Sequence, residues 1–235
     1  MSYGGRHVVV TGGTSALGTA VVAQLLELGA TCHVPNLDGG EITRFSHRGD
    51  SRVRLVEGVD LTSEEAVDGF YDDLPALWGS IHLAGGFAMA PIAETGAADF
   101  VEQMKTNALT CFLCCRAAVR RIRATRAPDG GRIVNVAARP ALEPRLGAGM
   151  VAYTAAKSAV AAMTTSLAEE LAAESIWVNA VAPSILDTPA NRAAMPEADR
   201  AAWLDLDHVA ATIAFLASPD NKVTRGAVIP LYGRG

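Results

Sequence analysis

Apolar runs of strand length alternate with stretches of helical periodicity along the whole chain, the pattern of βαβ units that feed a parallel sheet. Strands are predicted at His7–Val10, Thr31–Pro35, Val53–Val59, Ser80–Ala84, Arg132–Ala137, Ile176–Ala182 and Ala227–Leu231. A helix with the apolar stripe Leu17, Val21, Leu25 and Leu28 follows the first strand and stops at Gly29. Further helices are predicted near Ser63–Asp73, Phe100–Arg126, Val151–Glu174 and Asp207–Ala217, with turn residues such as Pro128-Asp129-Gly130-Gly131 between elements. There is no internal repeat, low-complexity stretch or linker, so residues 1–235 are expected to form one domain. The expected fold is doubly wound α/β, a seven-stranded, mostly parallel sheet with helices on both faces. Two long connections, Gly86–Ala98 and Asp187–Leu206, lie at strand ends, where such sheets tend to carry function.

Composition supports this picture. Half of the 235 residues are hydrophobic and 19% are charged, enough to bury a large core without metals or disulfides. No apolar run reaches the roughly 18 residues of a membrane span, and Met1–Val10 leads straight into a strand rather than a signal peptide. A cytoplasmic protein without membrane contact is expected. The net charge of −5 argues against general nucleic-acid affinity. Arg116, Arg120, Arg121, Arg123 and Arg126 are read as a solvated helix end, where cations suit the macrodipole. Cys111 and Cys114 spell C-x-x-C, yet no second ligand pair lies at metal spacing. Together with Cys32 and Cys115 they read as packing residues, and no metal is expected.

Two constellations carry chemistry. The first strand runs into Thr11-Gly12-Gly13-Thr14-Ser15-Ala16-Leu17-Gly18 and then a helix. Gly12 and Gly13 let the backbone approach a pyrophosphate, Gly18 allows close helix–strand packing, and the helix N-terminus supplies donors and partial positive charge. The second is Tyr153 and Lys157, at i and i+4 on one helix face. The chain has seventeen arginines and three lysines, so this lysine stands out in its alanine-rich helix. A phenol with a pKa near ~10 is a poor acid or base near neutrality, and a neighbouring ammonium favours its phenolate. A lysine also binds a ribose as a compact point donor.

The glycine spacing resembles the T-G-x-x-x-G-x-G fingerprint of the short-chain dehydrogenase/reductase family, a Rossmann-fold family, with Ala16 in the middle glycine's place. Matches run through nearly the whole chain: Asp60 and Leu61 after strand three, Ala84-Gly85-Gly86 after strand four, then Asn107, Tyr153 and Lys157. The resemblance implies NAD or NADP as cofactor, held by Gly12, Thr14, Ser15, Ala16, Leu17, Gly18, Asn36, Asp60, Leu61, Ala84, Gly85, Gly86, Tyr153, Lys157, Pro183, Ser184, Ile185 and Thr188. Asp60 would face the adenine, although as a lone residue it equally suits a cap for the helix at Ser63. Thr188 and the Ile185 backbone would meet the nicotinamide carboxamide. Asn36 ends strand two, where NAD-selective relatives place an acid. Asp38 follows, Ser15 is uncharged where NADP-selective relatives are often basic, and Arg44 or Arg48 could reach a 2′-phosphate, so the choice between NAD and NADP stays open.

The family's usual tetrad is Asn, Ser, Tyr and Lys. Asn107, Tyr153 and Lys157 fill three places as the implied catalytic residues, with Asn107 holding a water or backbone in a proton path. The serine's place after Gly131–Val136 falls on Ala137 and Ala138, followed by Arg139 and Pro140, and offers no hydroxyl. The segment from Ala138 to Leu142, together with Gly149–Tyr153, resembles the quinoid dihydropteridine reductase branch, which also lacks this serine. So do Ala84–Phe87 and a downstream run through Leu186–Pro189, Asn191-Arg192, Met195-Pro196, Ala198-Asp199 and Trp203. Such a substrate accepts hydride on a conjugated ring and a proton on nitrogen, which a Tyr–Lys pair could serve. Phe87 could stack on that ring or simply pack. Trp203 reads as a staple before the last helix, and His82 as a satisfied buried histidine.

The reading is an NAD(P)-dependent oxidoreductase acting on a small molecule, with a ketoreductase or a weakly catalytic cofactor-binding scaffold as alternatives. The family further implies a homodimer or homotetramer built on the helices of Asn107 and Tyr153. Ala155, Ala156, Ala159 and Ala162 would permit close helix packing there or face the sheet.

Overall fold

The computed structural model describes residues 1–37, 39–125 and 130–234. Asp38, Arg126, Pro128 and Asp129 lie outside the described residues. Seven strands form one sheet: β1 His7–Thr11, β2 Thr31–Asn36, β3 Val53–Glu57, β4 Leu77–His82, β5 Gly131–Val136, β6 Ile176–Pro183 and β7 Val228–Leu231. Their order is β3-β2-β1-β4-β5-β6-β7 and every pairing is parallel. The order reverses between β1 and β4, which opens a crevice at their carboxyl ends.

The helices are α1 Ala16–Glu27, α2 Gly39–Ile42, α3 Glu64–Asp72, α4 Ala97–Gln103, α5 Thr110–Thr125, α6 Arg139–Leu142, α7 Val151–Glu170, α8 Pro189–Ala194 and α9 Leu206–Leu216. Alternation along the strands sorts the core into two layers. Val8, Val10, Val134 and Val181 pack against Val21 and Leu25 of α1 and Ile213 of α9. Val9, Ile133, Val178 and Ala182 face Val67 and Phe70 of α3, Leu113 of α5 and Val160 of α7. Both faces of the central strands are therefore covered, whereas the edge strands β3 and β7 stay partly exposed.

Local chemistry sets the element ends. Ser15 caps α1 by accepting from the Gly18 N–H, and Gly29, at φ +82, ends it as expected. β4 starts and stops earlier than its sequence suggests. The Trp78 indole N–H donates to the Ala217 carbonyl, drawing Leu77 and Trp78 into the sheet. The expected long helix around Asn107 is interrupted by a π-helical turn, Met104–Leu109, between α4 and α5. α2, α6 and α8 have no counterpart among the expected elements. They are too short to show a 3.6-residue period, and Pro140 and Pro189 in the first turns of α6 and α8 read as turn residues.

The arginine run differs from its expectation. Arg116 pairs with Glu64 and Asp68, Arg120 also meets Asp68, and Arg123 meets Glu174. These residues clasp α5 to its neighbours, although such partly exposed pairs contribute only about 0–1 kcal/mol each. The α7 alanines divide: Ala156 is fully buried, Ala155 and Ala159 are half-buried, and Ala162 is exposed. Trp203 is half-buried, and the residue that precedes the α9 cap, Asp205, with a buried apolar side chain is Leu204. Among the described residues no helix is long and apolar enough to cross a membrane.

Tyr3 ties the amino terminus to α9. Its ring is fully buried and its hydroxyl donates to the Ala214 carbonyl at 2.7 Å. Tyr3→Phe keeps the packing and removes the bond, so chemical denaturation should show a loss of about 1 kcal/mol with an unchanged m-value.

Candidate active site

Three glycines show where a dinucleotide backbone would lie. A Cβ on Gly12, itself at φ +65, would sit 2.8 Å from the Ala84 nitrogen, and one on Gly13 would sit 2.9 Å from Val34. A side chain on Gly18 would overlap the backbone of Gly12 and Gly13. The turn thus packs against β2, β4 and its own helix with no room for side chains, leaving the N-terminus of α1 open towards the crevice. A pyrophosphate fits this cradle.

The remaining cofactor-side residues surround it. Thr14 donates its hydroxyl proton to Asn36 Oδ1 at 2.8 Å, which ties the turn to the end of β2. Both side chains are buried. Ser15 is engaged as the α1 cap, Ala16 is half-buried, and Leu17 is in the core. Asp60 accepts from the Thr62 N–H and hydroxyl, and these bonds hold its carboxyl below the usual carboxylate range. The cap of α3 is Ser63, so Asp60 is not spent on that role. Leu61 packs against the core behind it. Arg44 and Arg48 are exposed.

Across the crevice, Pro183 ends β6 and the Ser184 N–H donates to the Leu231 carbonyl. The Ile185 carbonyl accepts from the Leu204 N–H, and the Asp187 N–H donates to the Leu204 carbonyl, which pins this stretch to the segment before α9. Ile185 is 44% exposed towards solvent. Thr188 caps α8 by accepting from the Asn191 N–H.

The chemical end is tighter. Asn107, 1% exposed, holds both backbone groups of Gly86: its Oδ1 accepts from the Gly86 N–H at 3.2 Å and its Nδ2 donates to the Gly86 carbonyl at 3.0 Å. Its amide also donates to the Gln103 carbonyl. Asn107 is therefore a positioning residue that fixes the chain leaving β4. A Cβ on Gly85 would lie 2.6 Å from Asn107 Oδ1 and 3.3 Å from Lys157 Nζ, so only glycine fits between them.

Lys157 is buried and its ammonium donates to the Val136 carbonyl at 2.9 Å. That carbonyl ends β5, just before Ala137 and Ala138. Burial lowers the lysine pKa to about 8, opposed by attraction to Cys111. Tyr153 lies one turn back with Lys157 Nζ 6.0 Å from its ring centre. Burial pushes the phenol up to about 12. Loss of solvent around the ring is the cause, and the expected lowering by the ammonium is absent in the chain alone. The phenol holds its proton at neutral pH.

Ala137 and Ala138 are buried, so the end of β5 beside Lys157 continues into two apolar positions. The Phe87 ring meets Tyr153 edge to face, centroids 5.0 Å apart. Beside it, Met89, Gln103, Met150 and Val151 line a cavity of about 180 Å³. Periodicity could not reveal these residues because they come from three separate segments. A larger hollow of about 430 Å³, between Trp203, His208 and Tyr232, includes none of the site residues.

His82 is buried and bonded on both sides, Nδ1 to Asn135 Oδ1 and Nε2 to Ser80 Oγ, each at 2.8 Å. This is the satisfied histidine that the sequence suggested. The cysteines are free thiols in the core. The pair that approaches His82, however, is Cys111 and Cys115, one helical turn apart, rather than the C-x-x-C pair.

The chain matches the short chain dehydrogenase family over residues 6–199. It is 32% identical to cis-4-hydroxycyclohexanecarboxylate dehydrogenase of Sinomonas cyclohexanicum, covering 99% of this chain and 97% of that one. It is 30% identical to (2S)-[(R)-hydroxy(phenyl)methyl]succinyl-CoA dehydrogenase subunit BbsD of Thauera aromatica, with the same coverage. A short-chain type dehydrogenase/reductase from Mycobacterium ulcerans has the same fold, with a TM-score of 0.88, 25% identity, and coverage of 99% of this chain and 90% of that one.

Fold and site define a nicotinamide-dependent oxidoreductase, and the chain belongs to the short-chain dehydrogenase/reductase family. Its cofactor is NAD or NADP.

Two measurements probe this arrangement. With three lysines in the chain, ¹³C-labelled lysine NMR should resolve one resonance titrating near pH 8 in the dinucleotide-free protein. That resonance should move to higher pH when the anionic dinucleotide binds. Gly85→Ala displaces Asn107 and Lys157 together, so steady-state turnover should fall on the order of 100-fold, while circular dichroism stays unchanged.

Proposed function

We propose that this enzyme transfers hydride between the nicotinamide and a flat, conjugated small molecule of the dihydropteridine type, with Tyr153 as proton donor and no serine beside it. The observation that carries the reading is the apolar place at Ala137 and Ala138 next to an otherwise complete Asn107, Tyr153 and Lys157 arrangement. A carbonyl oxygen that develops negative charge benefits from a second oriented donor, whose removal typically costs orders of magnitude in rate. A conjugated ring that takes hydride on carbon and a proton on nitrogen needs one acid only. The exposed Phe87 ring against Tyr153 supplies an aromatic wall for such a ring.

When bound, the dinucleotide supplies or accepts the hydride at its nicotinamide. Gly12, Thr14, Ser15, Ala16, Leu17 and Gly18 would hold its pyrophosphate, and Asn36, Asp60 and Leu61 its adenosine end. Ala84, Gly85 and Gly86 would flank the central crevice, and Pro183, Ser184, Ile185 and Thr188 the carboxamide. Lys157 binds the nicotinamide ribose and holds positive charge behind the phenol, while Tyr153 gives its proton to the substrate. Asn107 keeps the Gly85–Gly86 backbone in place. The raised phenol pKa suits proton donation, hence the reductive direction at neutral pH.

A second reading is dehydrogenation of a secondary hydroxyl on a six-membered ring or on the carbon next to one, favoured by relatives named as dehydrogenases of cis-4-hydroxycyclohexanecarboxylate and of a [hydroxy(phenyl)methyl]succinyl-CoA. Here the missing serine slows the step, because the alkoxide is held by Tyr153 alone. The helices bearing Asn107 and Tyr153 form the contact of a homodimer or homotetramer in our reading, and Leu109 and Phe112 are exposed there.

NAD(P)H oxidation compared across a quinonoid dihydropterin, aryl ketones and β-ketoacyl thioesters separates these readings, with the dihydropterin expected to be fastest. A ketone turned over faster than the dihydropterin would reverse the assignment. Tyr153→Phe should lower turnover by roughly 10²–10⁴-fold and leave the dinucleotide dissociation constant within a factor of a few. In the reductive assay, rate should fall as pH rises through the phenol's pKa, because the acid form is the donor.

A further inference from the structure

Three ligand-type side chains meet in the core behind the active lysine. His82 from the end of β4 and Cys111 and Cys115 from the first two turns of α5 place their ligand atoms within 4.8 Å of one another, all buried. The Cys115 sulfur lies 3.5 Å from His82 Nδ1. In a tetrahedral zinc site with Zn–S near 2.3 Å and Zn–N near 2.0 Å, a sulfur and a nitrogen ligand are about 3.5 Å apart. One edge of such a site is already at its final length.

We propose that His82, Cys111 and Cys115 form a binding site for a single zinc ion within the core, behind Lys157.

The chemistry of the donors favours this ion. Two thiolates and an imidazole suit a borderline-soft divalent metal and exclude magnesium or calcium. Zinc with two thiolates is electrically neutral, so the complex can sit in an apolar core without an unpaired charge. Cys114, between the two ligands, points instead towards Tyr71 and takes no part.

Hydrogen bonds around the imidazole define the proton balance. Asn135 Nδ2 donates to Thr164 Oγ1, which directs Asn135 Oδ1 at His82 and places the imidazole proton on Nδ1 in the ion-free protein. To bind through Nδ1, the ring must lose that proton and take one on Nε2. The Nε2–H then donates to Ser80 Oγ, which already lies 2.8 Å away and is bonded in turn to Tyr71. This is the outer-shell support that metal-binding histidines require. The ring stays neutral and each thiol loses its proton, so binding one zinc releases two protons. Asn135 Oδ1, 2.8 Å from Nδ1 and 3.5 Å from the Cys115 sulfur, stands where the ion enters and must swing aside, after which it or a water fills the fourth position.

The test uses the full chain expressed in zinc-supplemented medium and passed over a weak chelator, with metal content measured per chain. Wild type and Cys114→Ser should each retain about one zinc, whereas Cys111→Ser and Cys115→Ala should retain less than about a tenth of that. Dinucleotide binding and circular dichroism report whether each variant folds. Wild-type protein refolded with cobalt in place of zinc gives an answer that does not depend on the variants: thiolate-to-cobalt charge-transfer and tetrahedral ligand-field bands are expected. Packing thiols only, shown by a zinc-free wild type without those bands, would overturn the proposal. Retention of the ion in both Cys111 and Cys115 variants would do the same.

Discussion

A buried ammonium needs partners, and the way Lys157 finds them organises this molecule. Its donor group rests on the carbonyl at the end of β5, while the glycine that follows β4 leaves just enough room for it beside Asn107. Neither strand alone could hold it. The parallel pairing of β4 with β5 brings those two ends together, and α7 delivers the lysine between them. Asn107 completes the arrangement by binding both backbone polar groups of one residue, Gly86, which an aliphatic side chain could not do without leaving those part-buried groups unpaired. The π-helical turn that carries Asn107 marks the point at which helix regularity yields to this requirement.

Much of this was legible in the chain itself. Strands buried on both faces show as continuous apolar runs, and the glycine turn between a strand and a helix announces its own geometry, because side chains there would overlap backbone. The Tyr153 and Lys157 spacing needed only a helix to become a shared face. What stayed hidden depends on three-dimensional juxtaposition. The Val136 carbonyl that anchors Lys157 has no sequence signal, since every residue carries a carbonyl. The meeting of His82 with Cys111 and Cys115 joins residues about thirty positions apart on a strand and a helix, and the eye is drawn to the adjacent C-x-x-C spacing instead. The arginine run looked like a solvated helix end because its partners Glu64, Asp68 and Glu174 lie on other elements. α6 and α8 escaped because their opening prolines suit a turn equally well.

The phenol's environment is the most instructive departure. One helical turn between a tyrosine and a lysine suggests an activated phenolate, yet in the folded chain burial wins and the phenol remains a weak acid. Proximity in a helix sets which groups share a face; the solvent each has lost sets how they ionise. This difference bears on chemistry, since a protonated phenol is suited to giving up a proton rather than taking one.

The central claim is that Lys157 and Tyr153 converge on the reactive face of a nicotinamide held over the glycine turn. A crystal structure with oxidised dinucleotide bound tests it most directly. The account predicts the pyrophosphate at the N-terminus of α1, the Lys157 ammonium on the nicotinamide ribose, and the Tyr153 hydroxyl facing the ring carbon that exchanges hydride. A phenol turned into the protein interior, or a dinucleotide bound away from Gly12 and Gly18, would contradict it.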